Sequence, residues 1–281
     1  MINFTFLSEN KTENSRIKAE FGLSIYIETD CMKILFDAGA SEIFYDNAER
    51  LGIDLKDVDA CVISHGHYDH SNGVPKFCEV NSKSGIYMHE NAFGKTYGAV
   101  NGKINSNPCG LEWTNVEMDM ISKRLHFTDG PLWLDEDIVI SGTIPDFGNH
   151  DSTEEFFRVK DDGTLEKDDM SHEQFLAIRN GEEGVYVFSA CSHKGIGSVL
   201  EYAFELFPND SIVAVIAGMH LFKADLDEIH YVADKIKSYN PRLIFPVHCT
   251  GMEAIFEFKK EFGEKCISRA FPSVSSRRCS S

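Results

Sequence analysis

The sequence predicts an α/β domain in which short apolar strands alternate with amphipathic helices and assemble into parallel or mixed sheets. Three observations carry this. Short apolar runs rich in Val, Ile and Phe recur at 32–36, 58–63, 184–190, 211–217 and 243–247, too short for buried helices. Between several of them, at 41–51, 195–207 and 226–239, apolar residues recur at helical spacing. Finally, Asp37, the cluster from His65 to His70, His193, His220 and His248 each follow an apolar run. Strands of one sheet deliver their exit loops to a shared edge, so residues this far apart in sequence would be gathered at one place.

Composition sets the outer limits. At 281 residues, 42% of them hydrophobic, the chain is long enough for one large layered domain, and we expect a single domain over 1–281. A formal net charge of -18 argues against a nucleic-acid partner, which needs a basic face, and is accounted for by solubility. The eight cysteines are scattered with no CxxC pair, which suits a reducing compartment. Residues 1–10 lack the basic and long apolar regions of a signal peptide, and no run of about 18 apolar residues offers a membrane span. The expectation is a cytoplasmic protein with a small-molecule substrate and no membrane partner. Nothing in the composition fixes the oligomeric state.

Taken in order, strands are expected at 2–7, 23–29 and 32–36, with a hairpin corner at Asp30-Cys31. A helix follows over 41–51, where Ile43, Phe44, Ala48 and Leu51 form the buried stripe, Ser41 a cap and Gly52 a stop. Strands at 58–63 and 85–89 come next, with His89 a structural residue at the exit. The stretch 91–115, with Gly94, Gly98, Gly102 and Gly110, reads as a long loop over the site rather than regular structure. Short strands at 125–127, 132–134 and 137–141 begin a second sheet. Residues 146–172 are strongly acidic and read as a lid-like insertion, with His172 and Glu173 outside the site. The strand 184–190 leads into a helix over 195–207, whose stripe is Ile196, Val199, Leu200 and Phe204 and whose N-terminus suits an anion. After strand 211–217, helix 226–239 and strand 243–247, the Ser/Arg-rich tail 271–281 is expected to fray.

The chemistry is expected where the strand 58–63 ends, at Ser64-His65-Gly66-His67-Tyr68-Asp69-His70. Residues two apart in an extended segment point to the same side, so His65 and His67 can converge on one point. Asp69 and His70 are adjacent and cannot join them there, which suits a second metal about 3.5–4 Å away. Imidazole with carboxylate favours two divalent transition-metal ions, zinc first, with manganese or iron also compatible.

His65-Gly66-His67-Tyr68-Asp69-His70 resembles the HxHxDH signature of the metallo-β-lactamase superfamily. Four further stretches, 21–27, 34–39, 191–196 and 245–251, are similar to its subgroup of 7,8-dihydropterin-6-methyl-4-(β-D-ribofuranosyl)aminobenzene-5′-phosphate synthases, also called archaeal-type dihydropteroate synthases. The resemblance implies a four-layer αββα sandwich, two mixed sheets with helices on the outside and a metal site at one edge. It places Asp37 beside that site, orienting a ligand. Many superfamily members end the strand near 140 in a metal-binding histidine, whereas this chain has Ser141-Gly142, with His150 further into a polar loop. His193 is therefore the expected third ligand of the metal held by His65 and His67, and His248 that of the metal held by Asp69 and His70. Cys191 lies near where other members carry a bridging aspartate; as a packed thiol closing an apolar strand it is left out of the ligand set. His220 and Lys194 are expected to contact substrate, stabilise charge or protonate a leaving group.

Three functions compete on these residues. The first is hydrolysis of a small phosphoester or other ester by water that two metals acidify, with Asp69 as catalytic residue and His220 as its partner. The second is the subgroup's transferase chemistry on a dihydropterin diphosphate at the same dinuclear site. The third is a non-catalytic or redox di-iron protein. Hydrolysis leads, because it needs nothing beyond the site.

Overall fold

Side-chain alternation along the strands sorts the interior into three apolar layers. The computed structural model describes residues 1–100, 102–148, 155–268 and 274–275. The first half of the chain supplies β1 (Asn3–Ser8), β2 (Ser24–Glu28), β3 (Lys33–Phe36), α1 (Ile43–Leu51), β4 (Ala60–Val62), α2 (Tyr68–Ser71), α3 (Val74–Val80), β5 (Gly85–Met88), β6 (Thr96–Val100), β7 (Lys103–Ile104), α4 (Asn115–Ile121) and β8 (Leu125–Phe127). The second half supplies β9 (Leu132–Asp135), β10 (Ile138–Ile140), β11 (Glu155–Val159), β12 (Leu165–Lys167), β13 (Leu176–Arg179), β14 (Val185–Ser189), α5 (Ile196–Leu206), β15 (Ile212–Ala217), α6 (Leu226–Ser238), β16 (Leu243–Pro246), α7 (Met252–Phe262) and β17 (Val274–Ser275).

Seven strands form the first sheet in the order β17-β1-β2-β3-β4-β5-β8, and six form the second in the order β16-β15-β14-β13-β10-β9. Both are mixed. β3, β4, β5 and β8 run parallel, as do β14, β15 and β16, while the remaining pairs are antiparallel. Parallel neighbours require crossovers, and α1, α3, α4, α5 and α6 provide them. Along β14, Tyr186 and Phe188 point between the sheets while Val185 and Val187 point outward under the helices. Between the sheets Phe4 meets Phe188 and Phe245 edge to face, at 5.5 and 5.3 Å between ring centroids. The outer face of the first sheet packs Leu35, Cys61 and Ile86 against Phe44 of α1 and Phe77 of α3. The result is the expected αββα sandwich. Among the described residues, no helix is long and apolar enough to cross a membrane.

Local signals set some of the boundaries. A capping box between Asp225 and Glu228 starts α6, and Gly52 ends α1 in the left-handed conformation. Ser41 sits one residue before the cap of α1, its hydroxyl accepting the Ile43 N–H at 3.2 Å. Phe204, expected in the buried stripe of α5, is 46% exposed, so that stripe is narrower than its spacing suggested.

Two expectations are corrected together. The glycine-rich stretch 91–115 is not structureless: it holds β6 and β7 and the start of α4. The acidic stretch 146–172 holds β11 and β12, and the four strands pair as a third, antiparallel sheet in the order β12-β11-β6-β7. Thr96, Tyr97, Phe156 and Phe157 are strand formers whose register, Phe157 opposite Tyr97, outweighs the glycine content. Within these stretches Asn101 and residues 149–154, among them His150, Asp151 and Glu154, lie outside the described residues. Of the tail expected to fray, Val274 and Ser275 pair with β1, and the rest lies outside the described residues.

Replacing Phe188 by Ala should lower stability by about 3–5 kcal/mol, as for other large-to-small changes at buried aromatic positions, because its cavity opens between two sheets that cannot both relax. A urea unfolding midpoint that does not move would contradict this packing.

Candidate metal centre

Asp37, at the exit of β3 with φ 59, accepts hydrogen bonds from Ser64 N at 2.7 Å, Ser64 Oγ at 2.8 Å and His70 Nδ1 at 2.7 Å. β3 and β4 are parallel neighbours, so their exits meet and the contact follows from the sheet. Because Ser64 Oγ donates to Asp37, it must accept from His65 Nδ1, 2.8 Å away. His65 and His70 therefore carry their protons on Nδ1 and keep the Nε2 lone pairs for the interior. His67 is extended, at φ -84 and ψ 148, and α2 begins immediately after it, which swings Asp69 and His70 away from the first pair. His65 Nε2 and His67 Nδ1 lie 3.1 Å apart, close to the roughly 3.4 Å separating two ligands of a tetrahedral zinc.

The second sheet completes two donor groups. His193, past β14, places a ring nitrogen with those of His65 and His67 so that the three ligand atoms lie within 4.8 Å of one another. His248, past β16, does the same with Asp69 and His70. His248 Nδ1 donates to Asn10 Oδ1 at 2.8 Å, leaving Nε2 3.3 Å from Asp69 Oδ2. His67 Nε2 and both ring nitrogens of His193 are buried without a hydrogen-bond partner among the described residues. Such atoms are costly to bury unsatisfied, and a cation in this triad would take up one ring nitrogen of His193 beside His65 Nε2 and His67 Nδ1, so the donor set fits transition-metal ions.

Cys191 is packed, as expected, and has donor neighbours as well. Its Sγ lies 3.2 Å from His70 Nε2, and it groups both with His65 and His70 and with His248 and Cys249. The thiol is packed, but at the edge where both triads meet, so packing and reach to a metal coincide. Lys194 turns elsewhere, its ammonium donating to Asp169 O at 3.4 Å. His220 rests against His193, with ring centroids 4.6 Å apart. His89 is structural, 2.8 Å from Thr143 Oγ1.

The sequence model of the metallo-beta-lactamase superfamily matches residues 17–154. An uncharacterized protein of Methanocaldococcus jannaschii, MJ0448, is 31% identical over 249 residues, covering 88% of this chain and 90% of the relative. The chain belongs to the metallo-β-lactamase superfamily. A second relative from the same organism, named 7,8-dihydropterin-6-methyl-4-(beta-D-ribofuranosyl)-aminobenzene-5'-phosphate synthase, is 28% identical over 275 residues, covering 93% of this chain and 91% of the relative. The crystal structure of Tm1679, described as a metal-dependent hydrolase of the beta-lactamase superfamily, superimposes with a TM-score of 0.83 at 28% identity, covering 98% of this chain and 99% of that one.

In this superfamily member the strand end at Ser141 carries no histidine and instead docks the segment 168–175, Phe175 N donating to Ser141 Oγ at 2.9 Å. That strap corrects the expectation for His172 and Glu173. His172 Nδ1 accepts Gly66 N–H at 3.3 Å, and its Nε2 faces Asp168 Oδ2 at 3.5 Å. The Glu173 carboxylate accepts the N–H of His193 and of Lys194, each at 2.7 Å. The Glu173 carboxylate is thus held by the loop that leads into α5, just ahead of its cap Gly195. Gln174 joins Ile63 O at 2.8 Å to Thr128 Oγ1 at 2.6 Å. The signal for these residues was available only as polar side chains placed just outside strands, as are Asn10 and Glu9, whose Oε1 accepts His248 N–H at 2.7 Å.

Backbone strain collects here too. Asp37, Ser192, His220 and His248 all adopt positive φ, between 48 and 59, in a region that non-glycine residues seldom occupy.

Burial and neighbouring histidines push His65 and His193 well below the ordinary imidazole value, and burial takes His67 and His220 down to about 3. Burial alone would raise the Asp69 carboxyl, but His70 and His248 outweigh it and hold it well below the usual range. Burial raises the Glu173 carboxyl and drives the Cys191 thiol well above its ordinary value.

Two predictions follow from these contacts. In metal-free protein the histidines of the unfolded chain take up protons below about pH 6.5 while His67 and His220 stay neutral until about pH 3, so stability should fall as pH drops through 6.5. Urea midpoints at pH 7.5 and 5.5 read this directly, and a higher midpoint at 5.5 would refute it. Glu173→Gln should weaken metal binding about 10–100-fold, as losses of supporting contacts around metal ligands do. Titration with a chromophoric chelator measures it.

Proposed function

We propose that this protein is a metal-dependent hydrolase that cleaves a small phosphoester, or another small ester, at a site for two divalent transition-metal ions, zinc foremost. One observation carries the proposal: two buried donor triads side by side, each drawing on both sheets, with partnerless ring nitrogens on His193. Bound ions of this kind supply Lewis acidity towards a phosphoryl or carbonyl oxygen and lower the pKa of water. The chain's residues do the rest. Asp69 stays ionised, within 3.3 Å of His248 Nε2 and 3.7 Å of His70 Nε2, and can orient a water or accept its proton. His220 is neutral at pH 7, so it is suited to hold a substrate oxygen rather than to deliver a proton. Its ring packs against Phe156, which covers His67 and His193 and excludes water on that side. Cys191 adds a sulfur donor within reach of both triads.

The substrate is expected to be a small anion, with neither nucleic acid nor membrane as partner, and the formal net charge of -18 supports the first exclusion. The described cysteines are all free thiols, which supports a cytoplasmic setting. A second reading has its own support in the 28% identical relative named as a synthase: transfer of a dihydropterin diphosphate at the same centre.

Elemental analysis of protein purified without added metal should find about two zinc, manganese or iron ions per chain, and a panel of phosphomonoesters, phosphodiesters and lactones should include a substrate. His67→Ala and Asp69→Ala should each remove turnover by at least about 1,000-fold. Full activity in either variant at unchanged metal content would sink the proposal. Diphosphate release that depends on a pterin, without ester hydrolysis, would favour the transferase.

A further inference from the structure

Two phenyl rings stand beside the metal centre that the chemistry above does not use. Phe21 is 50% exposed, and its ring lies 5.1 Å from that of His248. Phe222 is 41% exposed, and its ring lies 5.2 Å from that of His220. Exposure alone says little, since isolated apolar side chains are ordinary on a surface. What distinguishes this pair is that the backbone carrying each ring is pinned against the loops of the donor triads. Next to Phe21, a Cβ on Gly22 would lie 2.9 Å from both Ala40 N and Asp69 O, so the chain is pressed against the residue that carries the carboxylate. Leu23 N donates to Asp69 O at 3.1 Å, and Gly22 N donates at 3.2 Å to Asn10 Oδ1, the acceptor that orients His248. Phe222 is fixed from the other side. A Cβ on Gly251, whose φ is +80, would lie 2.5 Å from Phe222 Cα, so the turn after His248 lies flush against it. Both rings are thus tied to the loops that carry Asp69 and His248, and each keeps a large part of its surface in water.

We propose that Phe21 and Phe222 form a subsite for a planar aromatic or heteroaromatic ring adjoining the reacting phosphoryl group, which makes the substrate an aryl or heteroaryl phosphoester. The inference rests on the phosphoester reading above. Rings of this kind lose water from both faces on docking and gain directional edge or offset contacts with phenyl walls, which an alkyl group does not. Because the walls are fixed by the ligand loops, a docked ring also sets where its phosphoryl group meets the donor triads.

The test uses zinc-loaded protein and three phosphonates, whose carbon–phosphorus bond is not hydrolysed: methyl-, cyclohexyl- and phenylphosphonate, titrated calorimetrically. Phenylphosphonate should bind about tenfold more tightly than methylphosphonate and about threefold more tightly than cyclohexylphosphonate. Phe21→Ala and Phe222→Ala should each cut the phenyl-to-methyl ratio about three- to fivefold, and the Leu variants, which keep bulk without a ring, should cut it too. Phe127→Ala, at a phenyl ring 57% exposed and packed on Phe93, should leave the ratio alone. Methylphosphonate binding without a phenyl preference, or a ratio that survives both Ala variants, overturns the subsite and leaves the phosphoester reading standing. Equal affinity for the phenyl and cyclohexyl compounds overturns its preference for a planar ring. If none of the three binds, the phosphoester reading falls, and the subsite with it.

Discussion

The Asp37 carboxylate is the contact on which the site depends. It is fully buried, and it takes hydrogen bonds from Ser64 N, Ser64 Oγ and His70 Nδ1. One of these joins the exits of two parallel strands; the other two fix the tautomer of one histidine in each triad, His70 directly and His65 through the serine. A buried carboxylate with fewer partners would be costly, and here the desolvation is offset by three donors. Replacing the carboxylate by an amide would hand one donor a donor, so position 37 reads both as structure and as part of the chemistry.

The legible parts of this fold were those in which sequence spacing maps directly onto strand geometry. Alternating apolar runs gave both sheets, and polar residues directly after strands gave the ligand edge, because a strand exit leaves a side chain few places to go. His65, His67, Asp69, His70, His193 and His248 come together for that reason. The strap 168–175 was not legible. It is held by carboxylate and amide contacts to backbone groups, as when Glu173 takes the N–H of His193, and such pairings have no period and no motif. The neighbours of Cys191 were not legible for a related reason, since an apolar neighbourhood in sequence does not say what stands across the sheet edge, and His70 does.

The third sheet shows how two separate excursions become one device. Each of its halves looks like a loop alone, because a strand's pairing energy lies in a partner about 60 residues away. Once paired, Phe156 is carried over His67 and His193, and Asp168 N donates to Phe156 O at 2.8 Å, which ties the cover to the strap. Arg158 lies 3.6 Å from Asp168, which in turn faces His172. Cover, strap and ligand loops therefore form one hydrogen-bonded assembly built on the sandwich rather than a freely swinging flap.

Each donor triad takes two members from loops of the first sheet and one from a loop of the second: His65 and His67 with His193, Asp69 and His70 with His248. An ion held by either triad is consequently a staple across the halves of the sandwich, and separating the sheets means giving up coordination. By mass action, an ion present at 1,000 times its dissociation constant would add about 4 kcal/mol to the folded state, an appreciable fraction of what a domain typically has. With an ion bound, the donor edge of this protein would therefore also be its clasp, and loss of metal would be felt first as a loosening between layers whose apolar contacts are otherwise intact.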